Sequence, residues 1–308
     1  MVKKAAVLLF IFTLLLTACT GGQPQSSGES PVPSSGSGSS SYPDGVQPTD
    51  VVPDGKSVYA GKAPNEDTDY TEWETKNLFI PPTPQQTTTK TSYLICEGTP
   101  MEAEVVVLTA AEPGNILYII ASVHGNEIAA YSAADRLKDM ELKSGTLYIL
   151  SPANVQGKEN YSRYVKDEQD LNRSFPGSSD GSEAEQLANA IFEDVKRVNP
   201  AFVFDLHEAI TSMENRDFLG SSLIYTDLTK MDELFLDMYL ATQAGELCSE
   251  PFNYFGPGPL GSVNNVITTE LGIPVITVET YRVYALERRI EDQMAVVGYT
   301  LRYYGLVK

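Results

Sequence analysis

Histidine is nearly absent from this 308-residue chain. There are two, His124 and His207, so any site built on imidazole must draw on that pair. Basic residues are scarce as well. Twenty-two Lys and Arg stand against 41 Asp and Glu, a net charge of −19. Phosphate backbones need surplus cations, so this balance excludes a nucleic-acid partner. It suits solubility instead. No internal repeat is present, and the length allows one large domain or two. Cysteine occurs three times. Cys96 and Cys248 can pair in an oxidising compartment or stay as buried thiols, and sequence separation does not choose between them.

The N-terminus is not part of the fold. Lys3 and Lys4 precede an apolar run from Ala5 to Ala18, too short for a comfortable membrane span and suited to a signal-peptide core. It ends Leu16-Thr17-Ala18-Cys19, which resembles the lipobox of bacterial lipoproteins. The resemblance implies cleavage before Cys19, lipidation of that cysteine and an extracytoplasmic protein anchored to the cell membrane. Without Lys3 and Lys4 the charge becomes −21. Residues 20–66 are rich in Ser, Gly and Pro and offer little to bury, so they read as a flexible tether. The folded body is expected over 67–308, with Trp73 and Leu78-Phe79-Ile80 docking on it.

Within the body, strand-like and helix-like segments alternate. Strands are expected at Tyr93–Cys96, Ala103–Leu108, Ile116–Val123, Thr146–Leu150, Ala201–Leu206, Leu223–Tyr225 and Val275–Val278. Helices are expected from Asn126 through the Ile128–Leu142 stretch, at Glu183–Val198 with Ser182 as N-cap, at Met231–Gly245 and at Ala285–Tyr303. The alternation predicts a single α/β domain with a mixed, mainly parallel central sheet flanked by helices. Sites in such sheets gather at the carboxyl ends of strands. His124, His207 and Glu279 each follow an apolar run.

The centre of the pattern is His124-Gly125-Asn126-Glu127, where a buried strand gives way to a helix. Imidazole nitrogen and carboxylate oxygen are both zinc ligands, and catalytic zinc takes three protein ligands. A hydrogen-bonded core histidine is the plain alternative for either histidine alone. Two at strand ends, one with a Glu three residues on, favour metal ligation.

Further along stand Arg163-Tyr164, then Asp170-Leu171-Asn172-Arg173-Ser174-Phe175, then Asp205-Leu206-His207, then Glu279 at the end of an apolar run. This ordered set resembles the zinc carboxypeptidase superfamily, and most of all its succinylglutamate desuccinylase/aspartoacylase branch, over about Leu117 to Arg282. The resemblance implies one zinc per chain, held by His124, Glu127 and His207. It places Asp170 behind His124, Asn172 and Arg173 on a substrate carboxylate, Arg163 on the scissile carbonyl, and Glu279 as catalytic base. Glu208 is a rival base, but on a strand it would face away from His207. Asp205 shares the His207 face and reads as structural. Tyr254, Tyr281 and Tyr284 are candidates for the family's active-site tyrosine. The loop Phe255–Gly261 is either a pocket wall or a plain turn.

The function implied is zinc-dependent hydrolysis of an amide bond beside a carboxylate. The substrate is then an N-acyl amino acid or a peptide with a free carboxylate. An extracytoplasmic metallocarboxypeptidase acting on cell-wall peptides, or a binding lipoprotein without catalysis, are the alternatives.

Overall fold

The apolar runs Ile116–Ala121 and Ala201–Phe204 both lie in the middle of the sheet. The computed structural model describes residues 88–308 except 167–168, 211–218, 228, 230–231 and 249–250. The expected signal segment, the expected lipidation of Cys19, the expected tether and the expected docking of Trp73 and Leu78-Phe79-Ile80 all fall on residues outside the described ones. Eight strands form one sheet: β1 (Thr89–Ile95), β2 (Ala103–Thr109), β3 (Ile116–Ala121), β4 (Thr146–Leu150), β5 (Phe202–Ala209), β6 (Ser222–Ile224), β7 (Asn253–Phe255) and β8 (Val275–Tyr281). Their order is β1-β2-β4-β3-β5-β8-β6-β7. The inner pairs β4/β3, β3/β5 and β5/β8 are parallel. The antiparallel pairs β1/β2, β2/β4 and β8/β6 lie to either side. Central strands covered on both faces need apolar side chains on both. The apolar runs of β3 and of the first half of β5 meet that need.

Helices α1 (Ile128–Leu137), α2 (Val155–Glu159), α3 (Glu183–Val198), α4 (Asp232–Gln243), α5 (Val263–Val266) and α6 (Leu286–Tyr303) complete the domain. One face of the sheet packs Leu117, Ile119, Phe204, Leu206 and Val278 against α1, α4 and α6. The other packs Tyr118, Ile120, Val203 and Val275 against Leu187, Ile191 and Val195 of α3 and Val263 of α5. Each Leu or Ile so buried contributes roughly 1.5–3 kcal/mol. Ser182 caps α3 as expected, with Glu185 reaching back to the Ser182 N–H at 2.9 Å. Such a cap is worth about 1 kcal/mol.

The α/β reading holds, and three corrections follow. The helix expected to continue to Leu142 stops at Leu137, where the Lys138 N–H turns back to Asp135 O and Met140 N–H to Leu137 O. Met140 and Leu142 then enter the core from a loop. His207 and Glu279 lie inside β5 and β8 rather than after them, because pairing continues through both residues. The short elements β7, α2 and α5 had no counterpart in the periodicity. Of the two states the sequence left open for Cys96 and Cys248, the structure shows free thiols. They pack with the cores on opposite faces of the sheet.

Candidate metal and active site

The turn after β3 is built by backbone geometry. Ser122 takes a left-handed φ of 62°, and its hydroxyl donates to His124 O at 3.1 Å. Gly125 lies against α2 so closely that a Cβ would sit 1.9 Å from the Gly157 carbonyl carbon. No larger residue fits there. Glu127 occupies the N-cap position of α1, so its side chain is free to turn towards β5.

Three donors converge. His124 Nδ1 is 2.8 Å from Glu127 Oε1, His207 Nδ1 is 2.9 Å from Glu127 Oε2, and the two Nδ1 atoms are 3.1 Å apart. All three residues are buried, and their ligand atoms lie within 4.8 Å of one another. Two nitrogens on one tetrahedral zinc, each about 2.0–2.1 Å from it, would be separated by about 3.3 Å. The donor set and its spacing therefore fit a divalent cation. Glu127 Oε2 also accepts the Glu208 N–H at 3.1 Å, which holds the carboxylate.

Behind each imidazole stands an aspartate. Asp170 Oδ1 is 3.1 Å from His124 Nε2. Asp205 Oδ1 is 2.8 Å from His207 Nε2, an ion-pair contact off the line of an ideal hydrogen bond. A carboxylate at Nε2 keeps the proton there and leaves the Nδ1 lone pair for a metal. Burial opposes charge on Glu127, but His124 and His207 outweigh it and hold its carboxyl well below the usual range. Burial likewise opposes charge on His207, and Asp205 and Glu127 reverse the balance and raise it. Burial would raise Asp170, but His124 and Arg163 lower it. Protons and a cation thus compete for the same lone pairs.

Arg163 leans over this cluster. Its Nη2 donates to Asp170 Oδ2 at 2.9 Å, and Nη1 lies 3.2 Å from His124 Nδ1. Glu279 faces the cavity from β8, in register with His207 across the parallel ladder. Burial raises its carboxyl from 4.5 to about 7. Glu208 is committed elsewhere. It accepts the Ala129 N–H at the start of α1 at 3.0 Å and pairs closely with Arg289 of α6.

The remaining expected residues complete the wall. Asn172 Oδ1 accepts the Val263 N–H at 2.9 Å, which turns its NH2 towards the His207 ring, 3.4 Å from Nε2. Arg173 is exposed, with Nη1 on Asn172 O at 2.7 Å. The Gly- and Pro-rich loop contributes to the pocket wall through Pro259, and Ser262, which follows it, lines the cavity as well. Gly261, at φ 74°, leaves only 2.6 Å between a Cβ and Arg173 O. The cavity measures about 210 Å³, and Ala209, Ile210, Leu219 and Ile224 supply its apolar lining. Among the described residues no tyrosine lines it. Tyr254 packs against Phe235 and Tyr239, and Tyr281 against Tyr284. Asp205, read from the sequence as structural on the His207 face, stands behind that ring; Thr277 and Val263 were not singled out, since no local motif marks them.

Residues 113–295 match the model of the succinylglutamate desuccinylase/aspartoacylase catalytic domain, more than half of the chain. The chain belongs to this family. A succinylglutamate desuccinylase from Pseudomonas aeruginosa is 28% identical over 189 residues, 55% of this chain and 54% of that protein. The chain therefore spans about half the length of the curated relatives it matches. An aspartoacylase family protein from Mesorhizobium loti superposes with a TM-score of 0.56 at 21% identity, covering 73% of this chain and 69% of that one. The ectoine utilization protein of Ruegeria pomeroyi gives 0.56 at 16% identity, over 74% and 70%. These two likenesses concern the fold. Within that family, the buried His124, Glu127 and His207 could together hold a metal ion.

Proposed function

We propose that this chain is a zinc-dependent deacylase that cleaves the amide of an N-acyl amino acid, outside the cytoplasm and tethered by a lipid on Cys19. The single observation that carries the reading is the convergence of His124, Glu127 and His207 beside a buried Glu279 with a raised pKa. Zinc in a two-histidine, one-carboxylate site supplies Lewis acidity, drawing electron density from a carbonyl oxygen and making water more acidic.

The chain's own residues do the rest. Glu279 takes a proton from the attacking water and hands it to the leaving amine. A buried carboxyl facing the cavity beside the donor set is placed for both halves of that transfer. Arg163, 3.2 Å from His124 Nδ1, is near enough to donate to the carbonyl oxygen as negative charge builds there. Asn172 and Arg173 bind the substrate carboxylate, where a guanidinium makes charge-assisted hydrogen bonds. Asp170 holds the tautomer of His124.

A second reading has specific support in the sequence. The lipobox-like Leu16-Thr17-Ala18-Cys19 and the tether that follows favour a peptide substrate, since small acyl amino acids are usually handled inside the cell. A metallocarboxypeptidase acting on cell-wall peptides would use the same residues. The deciding experiment is a mass-spectrometric screen of zinc-loaded protein against N-acyl amino acids, free-acid peptides and cell-wall fragments. Turnover of N-acyl amino acids alone supports the deacylase. Turnover of peptides alone moves the chain to the second reading. Stoichiometric zinc with no turnover of any carboxylate-bearing amide would leave a binding lipoprotein.

A further inference from the structure

A line of buried polar side chains runs from the short helix α5 to His207. It begins at Asn264, which is 1% exposed. Its Nδ2 donates to Ile224 O at 2.9 Å, to Thr277 Oγ1 at 3.1 Å and to Val275 O at 3.3 Å. Its Oδ1 accepts from Thr226 Oγ1 at 2.6 Å. An amide nitrogen can only donate, so the bond from Asn264 leaves the Thr277 hydroxyl proton pointing elsewhere. That proton goes to Asp205 Oδ2 at 2.8 Å. The other oxygen of Asp205 lies 2.8 Å from His207 Nε2.

The register makes this possible. Asp205 and Thr277 are ladder partners on β5 and β8, two residues before the partners His207 and Glu279. All four side chains leave the same face of the sheet. The backbone beside Asn264 reaches the site too, because Val263 N–H fixes the Asn172 amide at 2.9 Å. One turn of chain therefore ties down both a metal ligand and a substrate-facing amide.

We propose that Thr277, oriented by Asn264, is a positioning residue that sets the His207 ring for metal binding by acting through Asp205. The inference rests on the metal site described above. A purely structural role would not call for threonine. Valine is isosteric, equally β-branched and well suited to a buried strand. The hydroxyl needs a buried partner, and Asp205 is that partner. Without it Asp205 loses its one side-chain hydrogen-bond donor among the described residues, and the carboxylate, held at His207 Nε2 by an ion-pair contact, is free to rotate off it. Partners behind a metal-ligating histidine typically tune metal affinity by 10- to 100-fold.

The experiment measures the zinc dissociation constant of the full chain by competition with a chromophoric chelator. The variants are Thr277→Val, Thr277→Ser, Asp205→Asn and Asp205→Asn with Thr277→Val, each checked for folding by circular dichroism. Thr277→Val should weaken zinc by about 10-fold or more, and Thr277→Ser, which restores the hydroxyl, should stay within about threefold of wild type. In the Asp205→Asn background, Thr277→Val should cost little further, since residues acting as one unit are not additive. Full zinc affinity in folded Thr277→Val, failure of serine to rescue, or additive losses in the double variant would each overturn the proposal. If the wild type itself holds no zinc, the metal-site reading falls first and this inference with it.

Discussion

His207 on β5 and Glu279 on β8 are direct partners in the parallel ladder. A candidate metal ligand and a candidate base thus come off neighbouring strands on one face, one strand spacing apart. Their separation is set by backbone hydrogen bonding, not by flexible loops. This is the rigid placement a proton transfer beside a metal requires.

Removing His207 should remove the metal. His207→Ala leaves one imidazole and one carboxylate, too few for a closed three-ligand site. Metal analysis after dialysis should find the wild type near one zinc per chain and the variant well below it. Retention of full zinc by the variant would move the site elsewhere.

Glu279→Gln should separate chemistry from binding. The amide keeps the shape and some hydrogen bonding but cannot take a proton. Zinc content should hold while turnover falls by about 100-fold or more, the scale of losing a positioned acid–base group. Glu208 cannot substitute, being held by Arg289 and the Ala129 N–H. Turnover within a few-fold of wild type would exclude Glu279 as the base.

The same carboxyl links pH to folding. Burial raises Glu279 from 4.5 to about 7, so between those values the folded chain holds a proton that the unfolded chain has released. Its contribution is full below about 4.5 and is lost as pH rises through about 7. Thermal midpoints of metal-free protein should show this decline, and Glu279→Gln should flatten it. Identical pH dependence in the two proteins would mean that Glu279 is not buried as described.

Arg173→Ala should act on substrates that carry a free carboxylate. Losing a charge-assisted hydrogen bond costs about 1.5–3 kcal/mol, roughly ten- to a hundredfold in kcat/KM. The amidated analogue should be a poor substrate for the wild type and change little in the variant. Equal cleavage of acid and amide by the wild type would remove carboxylate recognition from the proposed function.

Cys19→Ser tests the anchor. Fractionation of cells making the full chain should find the wild type with membranes, and the variant either released or retained with its signal segment uncleaved. Unchanged membrane association with normal cleavage would count against lipidation.

Some of this was readable in one dimension because the signal is local. The unbroken apolar run of β3 and the alternation of strands and helices are backbone and side-chain preferences of neighbouring residues. So is the Ser182 cap, visible as a Ser directly before the helical run, which Glu185 completes in the structure. By contrast, β7 and α5 are three and four residues long, shorter than the period that would reveal them. The end of α1 was misjudged because Met140 and Leu142 continue the apolar composition after the helix has stopped, and their burial is a tertiary fact.

The sequence by itself determined the chemistry available: two imidazoles, an acidic residue placed to join them, and an Asn-Arg pair in a turn. It also determined that Glu208 would point away from His207, since side chains on a strand alternate. Only the tertiary structure decided which ring nitrogens face the common centre and that Asp205 stands behind His207. It also decided that Asn172 is turned by the N–H of Val263, 91 residues away. Residue type and spacing specify what a group can donate or accept. The direction in which it does so depends on partners that only strand register and packing bring within about 3 Å.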